Sequence, residues 1–119
     1  MKSIVTKDLK VCAVCGTLQG VETHHCIHGT SGRKLATKYH LLVGLCSYCH
    51  RGTYGVHGKK GAELDLYFKQ TSQKCFENKY SHEKWMEVFQ KNYLAFPEVD
   101  FEEVRKRVIE GKMEHEISQ

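Results

Sequence analysis

The sequence predicts a small α+β protein, in which a zinc-knuckle frame encloses a β-hairpin and a short helix and is followed by further helices. Three observations predict it. Four of the six cysteines fall into two Cys-x-x-Cys pairs, Cys12/Cys15 and Cys46/Cys49. Eight of the ten glycines lie within residues 1–60, where apolar runs are short. Beyond residue 60 the apolar side chains recur at three- and four-residue steps, the period of a helix. The seam falls at Lys59-Lys60-Gly61, dividing a metal-stapled core (1–60) from a helical extension (61–119) that packs on it.

In the first half, Ile4-Val5 and Val11 suggest a short strand or an extended lead into the first knuckle, and Gly16 permits its tight turn. Gly20 to His25 alternates weakly and reads as a strand ending at the histidines. Gly29 to Arg33 is a loop by composition. Leu41 to Leu45 is an apolar strand running into Cys46. A helix can begin at Cys49-His50, but Gly52, Gly55 and Gly58 make it brief or replace it with a loop.

The second half is more regular. Leu64, Tyr67, Phe68, Thr71, Cys75 and Phe76 mark a helix of about four turns. Ser81 is placed as an N-cap, with Tyr80 and Trp85 at hydrophobic-staple positions, and Val88, Phe89, Asn92 and Tyr93 continue that face to Pro97. Asp100 caps the last helix, Glu103 stands at capping-box spacing, and Phe101, Val104, Val108 and Ile109 form the apolar stripe. These stripes read as core packing.

A chain of 119 residues buries roughly two-thirds of its unfolded surface, enough for a modest core assisted by a metal. Hydrophobic content of 40% with one proline argues against disorder. No apolar stretch approaches the ~20 residues of a membrane span. The first ten residues mix charge and apolarity too often for a signal peptide. An intracellular protein without a membrane partner is expected, and in that compartment paired cysteines read as metal ligands rather than disulfides. Charge is uneven: residues 1–60 carry nine Lys/Arg against Asp8 and Glu22, residues 61–119 nine against twelve acidic groups. The basic half suits a polyanion, and equally an ordinary solvated surface.

Zinc takes four tetrahedral ligands, and thiolates two residues apart let one turn present two sulfurs. Cys12, Cys15, Cys46 and Cys49 therefore form a closed shell for Zn²⁺, structural because no position is left for substrate. A redox reading needs a βαβ unit beside one motif. Six of the eight histidines (His24, His25, His28, His40, His50 and His57) lie among these cysteines. Neighbours at a strand end point to opposite sides, so His24 and His25 divide two roles rather than share one shell. His50 follows the last zinc ligand directly and is fixed by it.

The runs Cys12-Ala13-Val14-Cys15-Gly16, Glu22-Thr23-His24-His25 and Leu45-Cys46-Ser47-Tyr48-Cys49-His50 resemble the HNH, or ββα-metal, endonucleases in their zinc-containing form, and look closest to small phage and prophage members. The resemblance spans roughly residues 10–60 and implies a treble-clef-like ββα-metal core. It implies three catalytic residues: His25 as general base, His24 as the preceding ligand of a divalent metal, and His50 as the other ligand. The implied ion is Mg²⁺ or another divalent metal. Glu22 is implied in support, and His57 completes the metal shell, contacts phosphate, or is simply an exposed histidine. The family's central Asn falls here on Leu41, with His40 the polar neighbour.

The implied function is metal-dependent hydrolysis of DNA phosphodiester bonds, in phage or prophage DNA processing or recombination in the cytoplasm of a bacterial host. Arg33, Lys34, Lys38, Arg51, Lys59 and Lys60 would hold the DNA backbone in salt-sensitive contacts. A recombination or packaging partner, and a homodimer through the acidic helical half, belong to the same expectation. RNA is a rival substrate, because the site addresses the phosphate. The alternative function is a non-catalytic zinc-dependent nucleic-acid-binding module, which explains the cysteines and the basic half but not the adjacent histidines. Cys26, His28 and Cys75 carry no assigned role, the cysteines defaulting to small buried hydrophobes.

Overall fold

The β-branched and apolar runs flanking the histidines form the two strands, β1 (Val21–His25) and β2 (Leu42–Cys46), in a computed structural model that describes residues 2–117. They pair antiparallel, with Val21 opposite Cys46 and His25 opposite Leu42. A two-stranded sheet is marginal alone. Here every residue of β2 is buried, partly because the N-terminal segment crosses it. Gly44 makes the crossing feasible: a Cβ there would run into the carbonyl oxygens of Leu9 and Val11. The Ala13 N–H donates to the Gly44 carbonyl at 2.8 Å, which ties the first knuckle to β2. No strand forms at Ile4-Val5 or Val11. Nor is that lead extended: it bends at Ile4-Val5 and at Val11 and turns at Leu9-Lys10, and Ile4 N–H anchors it on the His40 carbonyl at 3.0 Å.

Between the strands the expected loop at Gly29–Arg33 is instead the start of a helix, α1 (Thr30–Lys38). Its glycine and serine suggest a loop, but the following Arg33-Lys34-Leu35-Ala36 are all good helix formers. Ala36 is also fully buried, and packing outweighs local composition.

The helix after Cys46, α2 (Ser47–Arg51), is as short as the glycines require. Gly52, Gly55, Gly58 and Gly61 then close three successive turns, each N–H donating to the carbonyl of the glycine three residues earlier at 2.9–3.1 Å. Side chains at Gly58 or Gly61 would strike the carbonyl oxygens of Gly52 and Gly55. This coil folds the chain back onto α2, so that Val56 N–H reaches the Cys49 carbonyl and His57 N–H the His50 carbonyl, both at 3.0 Å.

The helical half comprises α3 (Ala62–Lys79), α4 (His82–Phe89), a 3₁₀ turn (Tyr93–Ala95) and α5 (Phe101–Ile117). At 18 residues α3 makes five turns rather than four. Ser81 caps α4 by accepting from Lys84 N–H at 3.0 Å, and Asp100 accepts from Glu103 N–H at 3.4 Å at the start of α5. Two glutamines inside α3 do what its apolar stripe cannot. Buried Gln70 donates to the Tyr93, Phe96 and Pro97 carbonyls and accepts from Val99 N–H; buried Gln73 bridges Asn92 and Tyr93 N–H. They satisfy the irregular connector between α4 and α5, which would otherwise leave backbone groups unpaired.

One apolar cluster joins Val14, Cys26, Leu45 and Cys49 of the first half to Leu64, Phe68, Phe76, Trp85, Val104 and Val108 of the second. Arg105 of α5 reinforces it by donating through Nε to the Val14 carbonyl at 2.7 Å. No helix of the described residues is long and apolar enough to cross a membrane.

Candidate metal centres and the histidine cleft

The two knuckles bring the sulfurs of Cys12, Cys15, Cys46 and Cys49 within 4.8 Å of one another. The Cys15 and Cys46 sulfurs stand 3.8 Å apart, and the edge of a tetrahedron with ~2.3 Å zinc–sulfur bonds is about 3.8 Å. The four cysteines can thus hold a metal ion such as zinc. No disulfide joins any of the six cysteines. A hydrogen bond from Cys49 holds the Cys12 thiol far below its ordinary range, to about 4, while the same bond and burial push Cys49 upward. Lys112 of α5 places Nζ 3.3 Å from the Cys15 sulfur. Burial would lower its pKa, but the thiols outweigh burial and raise it.

A second cluster adjoins the first, through His50 next to Cys49 on α2. Ring nitrogens of His24 (β1), His50 (α2) and His57 (glycine coil) all fall within 4.8 Å of one another. Their ring centroids are 5.0–5.2 Å apart. His24 is 1% exposed, and its Nε2 has no hydrogen-bond partner. Burial, then the neighbouring His50 and His57, depress its pKa to about 3, so it is a neutral imidazole. A buried polar atom normally has a partner. A neutral imidazole facing two others, with a nitrogen left over, fits a divalent metal ion.

The surroundings orient this set. His50 donates through Nδ1 to Glu22 Oε1 at 2.7 Å, so that in the neutral ring the lone pair stands on Nε2. A carboxylate behind a ligating histidine fixes its tautomer and raises its basicity. The other Glu22 oxygen accepts from Arg51 at 2.7 Å. These partners, His50 first, hold the Glu22 carboxyl below its usual range against the opposing effect of burial. His57 is shifted down by burial and by His50.

His28 stands beside the cluster, 5.2 Å from the His57 ring, and donates through Nε2 to Asp65 of α3 at 2.9 Å. Burial would raise the Asp65 pKa, but His28 and Lys69 outweigh it and lower it. The helical half therefore reaches the site through Asp65, and through Phe68, whose ring lies edge-on to His24 at 6.4 Å.

A cleft of about 540 Å³ opens over the histidines, lined by His24, His25, His28, His50, His57 and Arg33, among others. His25, the expected base, lines it from the residue next to His24, so both neighbours serve one cleft despite their opposite sides of β1. Burial and the Arg33 guanidinium shift His25 below the ordinary imidazole range. Its Nε2 lies 3.0 Å from Thr37 Oγ1 on α1. His40, the polar neighbour of the position where the resembled family has its Asn, is exposed, sits in the left-handed region at φ 60°, does not line the cleft, and uses its backbone to close the turn into β2.

The six cations expected at the substrate are not equivalent. Arg33 alone of them lines the cleft. Lys34 and Lys38 ride on the same helix, Arg51 is paired with Glu22, and Lys60 lies over the Tyr54 ring at 5.5 Å. Sequence reasoning missed Thr37, because α1 was unrecognised, and Asp65, because its helix read as packing. A His28–Asp65 contact across 37 residues carries no local signal. Comparison with known protein families, curated proteins and solved structures finds no match to this chain.

Proposed function

We propose that the protein is a metal-dependent nuclease of the HNH type, which hydrolyses phosphodiester bonds of DNA in the histidine cleft. The observation that carries this reading is the constellation itself. Three imidazole nitrogens converge within 4.8 Å, and a fourth histidine that is not one of them, His25, faces the same cleft. A merely structural zinc protein needs the four cysteines and has no use for this second set. On this reading the β1–β2 hairpin and α2 make up the ββα unit.

His24, His50 and His57 would hold the ion. An all-imidazole set suits zinc, nickel, cobalt or copper, whereas magnesium prefers oxygen donors, so of Mg²⁺ or another divalent metal, the expected pair, this set favours the second. When bound, such an ion supplies charge neutralisation at the scissile phosphate and stabilises the departing oxygen. His25 removes the proton from the attacking water, a task for which a neutral imidazole at neutral pH is suited. Its lowered pKa keeps it in that form. Arg33 meets the phosphate from the rim, and Lys34 and Lys38 extend the positive face along α1. These contacts address the backbone, so sequence preference is modest and binding weakens with salt.

The test is nicking of supercoiled plasmid by the zinc-loaded protein with Ni²⁺, Co²⁺, Mn²⁺, Mg²⁺ or additional Zn²⁺, alongside His25→Ala. Metal-dependent nicking by the wild type, lost in His25→Ala while zinc content and DNA retention persist, is the expected result. Retention of DNA without cutting under any ion would favour the zinc-dependent nucleic-acid-binding module. Cutting confined to RNA would change the substrate and keep the site.

A further inference from the structure

We infer that Thr37 is the positioning residue of His25, and that it fixes the imidazole as the tautomer protonated on Nε2, leaving Nδ1 as the nitrogen that takes the proton from water. The inference about catalysis rests on the nuclease reading above; the tautomer does not.

The hydrogens available to Thr37 and its neighbours decide the tautomer. Thr37 Oγ1 lies 3.1 Å from the Arg33 carbonyl one helical turn back, and 3.0 Å from His25 Nε2. A carbonyl oxygen only accepts, and a hydroxyl has one hydrogen to give. If that hydrogen went to His25, the contact with Arg33 would hold two acceptors facing each other. Both contacts are satisfied in one arrangement only: Thr37 donates to the Arg33 carbonyl and accepts from Nε2–H of His25. In the neutral ring Nδ1 then carries the lone pair.

The same accounting runs through the neighbouring rings. His50 gives its Nδ1 hydrogen to Glu22, and His28 gives its Nε2 hydrogen to Asp65. Each ring has an oxygen partner that decides which nitrogen is basic. For His25 that partner is neutral. It therefore orients the ring and selects the tautomer without a full negative charge to hold a proton on it, whereas a carboxylate would stabilise the imidazolium.

The sequence around Thr37 fits this role. It stands on α1, whose preceding residue Ala36 is buried and locks the helix against the core. The Ala36 carbonyl accepts from Leu41 N–H at 2.8 Å, and Cys26 N–H, next to His25, donates to the Leu41 carbonyl at 3.0 Å. Two hydrogen bonds thus connect the backbone beside Thr37 to the backbone beside His25. Leu41, where the resembled family has its Asn, contributes through its main chain, and Thr37 supplies the side chain.

The experiment is a long-range ¹⁵N–¹H correlation spectrum of the imidazoles in the zinc-loaded full chain, recorded where His25 is neutral, with His25 identified by its absence in His25→Gln. Thr37→Val keeps the shape and removes the hydroxyl; Thr37→Ser keeps the hydroxyl. The wild type and Thr37→Ser should show His25 protonated on Nε2, and Thr37→Val a mixture of tautomers. Zinc content should be equal in all three. Alongside, kcat should fall about tenfold to a hundredfold in Thr37→Val with KM little changed, part of the 10²–10⁴ that a general base supplies, and recover in Thr37→Ser. A wild-type ring protonated on Nδ1 overturns the inference. So does a Thr37→Val ring still held on Nε2, whatever the activity does. Absence of cutting by the wild type would sink the nuclease reading and leave the spectrum to decide the tautomer.

Discussion

The buried nitrogen of His24 makes a prediction in which site and stability pull in opposite directions. His24 is 1% exposed with Nε2 unpartnered, and an unsatisfied buried polar atom costs about 1–3 kcal/mol. Leucine is close to histidine in volume and has nothing to satisfy. His24→Leu forfeits the edge contact with Phe68, worth about 0.5–1.5 kcal/mol, so the net gain is about 1 kcal/mol in protein carrying zinc on the cysteines alone. For a chain of this length that is roughly 3–5 °C in Tm, between the ranges for smaller and larger domains. Calorimetry at pH 7, with one zinc per chain, checks it. Adding Ni²⁺ or Co²⁺ should raise the wild-type Tm and leave His24→Leu unmoved. A variant less stable than wild type, or one that gains as much from the second ion, would refute the reasoning.

The same residue gives stability a pH dependence of definite sign. Burial, with help from His50 and His57, places the folded pKa of His24 at about 3, against ~6.5 in the unfolded chain. Between those values the unfolded state binds the extra proton. The stability from keeping His24 neutral is therefore fully present above ~6.5 and is lost as pH falls toward the folded value, by up to ~1.4 kcal/mol per pH unit. His24→Leu lacks this loss, so its advantage should widen between pH 6.5 and 5, a range that still keeps zinc on the cysteines. Parallel stability–pH curves would show that His24 is solvated in the native state.

Three further outcomes follow from named contacts. Cys49→Ser removes a fully buried ligand of the four-cysteine set. Structural zinc in such sites is worth roughly 10–16 kcal/mol, so the variant should neither retain metal nor melt cooperatively, whereas Cys75→Ser should do both; zinc assay and circular dichroism decide. Glu22→Gln replaces the carboxylate behind His50 and should weaken Ni²⁺ or Co²⁺ binding about 10- to 100-fold in calorimetric titration without loss of the cysteine-bound zinc. Gly111→Ala would gain about 1 kcal/mol in an ordinary helix. Here its Cβ would stand 2.6 Å from Tyr48 Oη and 2.7 Å from Tyr54 Cδ2, so thermal melting should show a loss of about 1–3 kcal/mol.

What the sequence could reveal follows from how local each signal is. The knuckles, both strands and the caps at Ser81 and Asp100 are written in short stretches, and each stands where spacing or capping chemistry places it. The grouping of His24, His50 and His57 was legible only through resemblance, because 25 residues separate the first two and a glycine coil brings in the third. The helix α1 was misread because Gly29, Ser31 and Gly32 carry a turn signal, while the burial of Ala36 that decides for helix is a tertiary fact. Missing α1 meant missing Thr37, and with it the partner of His25. Gln70 and Gln73 were invisible for a related reason: a polar residue on a helix reads as solvated until the irregular chain it satisfies is known to lie against it.

The division at residue 60 also takes on a different meaning in three dimensions. The glycine coil that ends the first half holds His57 over His50, and α3 begins at its last turn. From α3, Asp65 holds His28 and Phe68 packs against His24; from α5, Arg105 and Lys112 grip the first knuckle at Val14 and Cys15. Each half thus supplies groups that the other cannot replace: the first, both clusters that could hold a metal, and His25; the second, Phe68 against His24 and the cation beside the thiols. A metal-stapled hairpin alone would leave His24 in water, where its nitrogen would find partners and its pKa would rise. The helices therefore contribute directly to the chemistry of the cleft, because a buried, neutral, unpartnered imidazole requires the apolar surface that α3 provides.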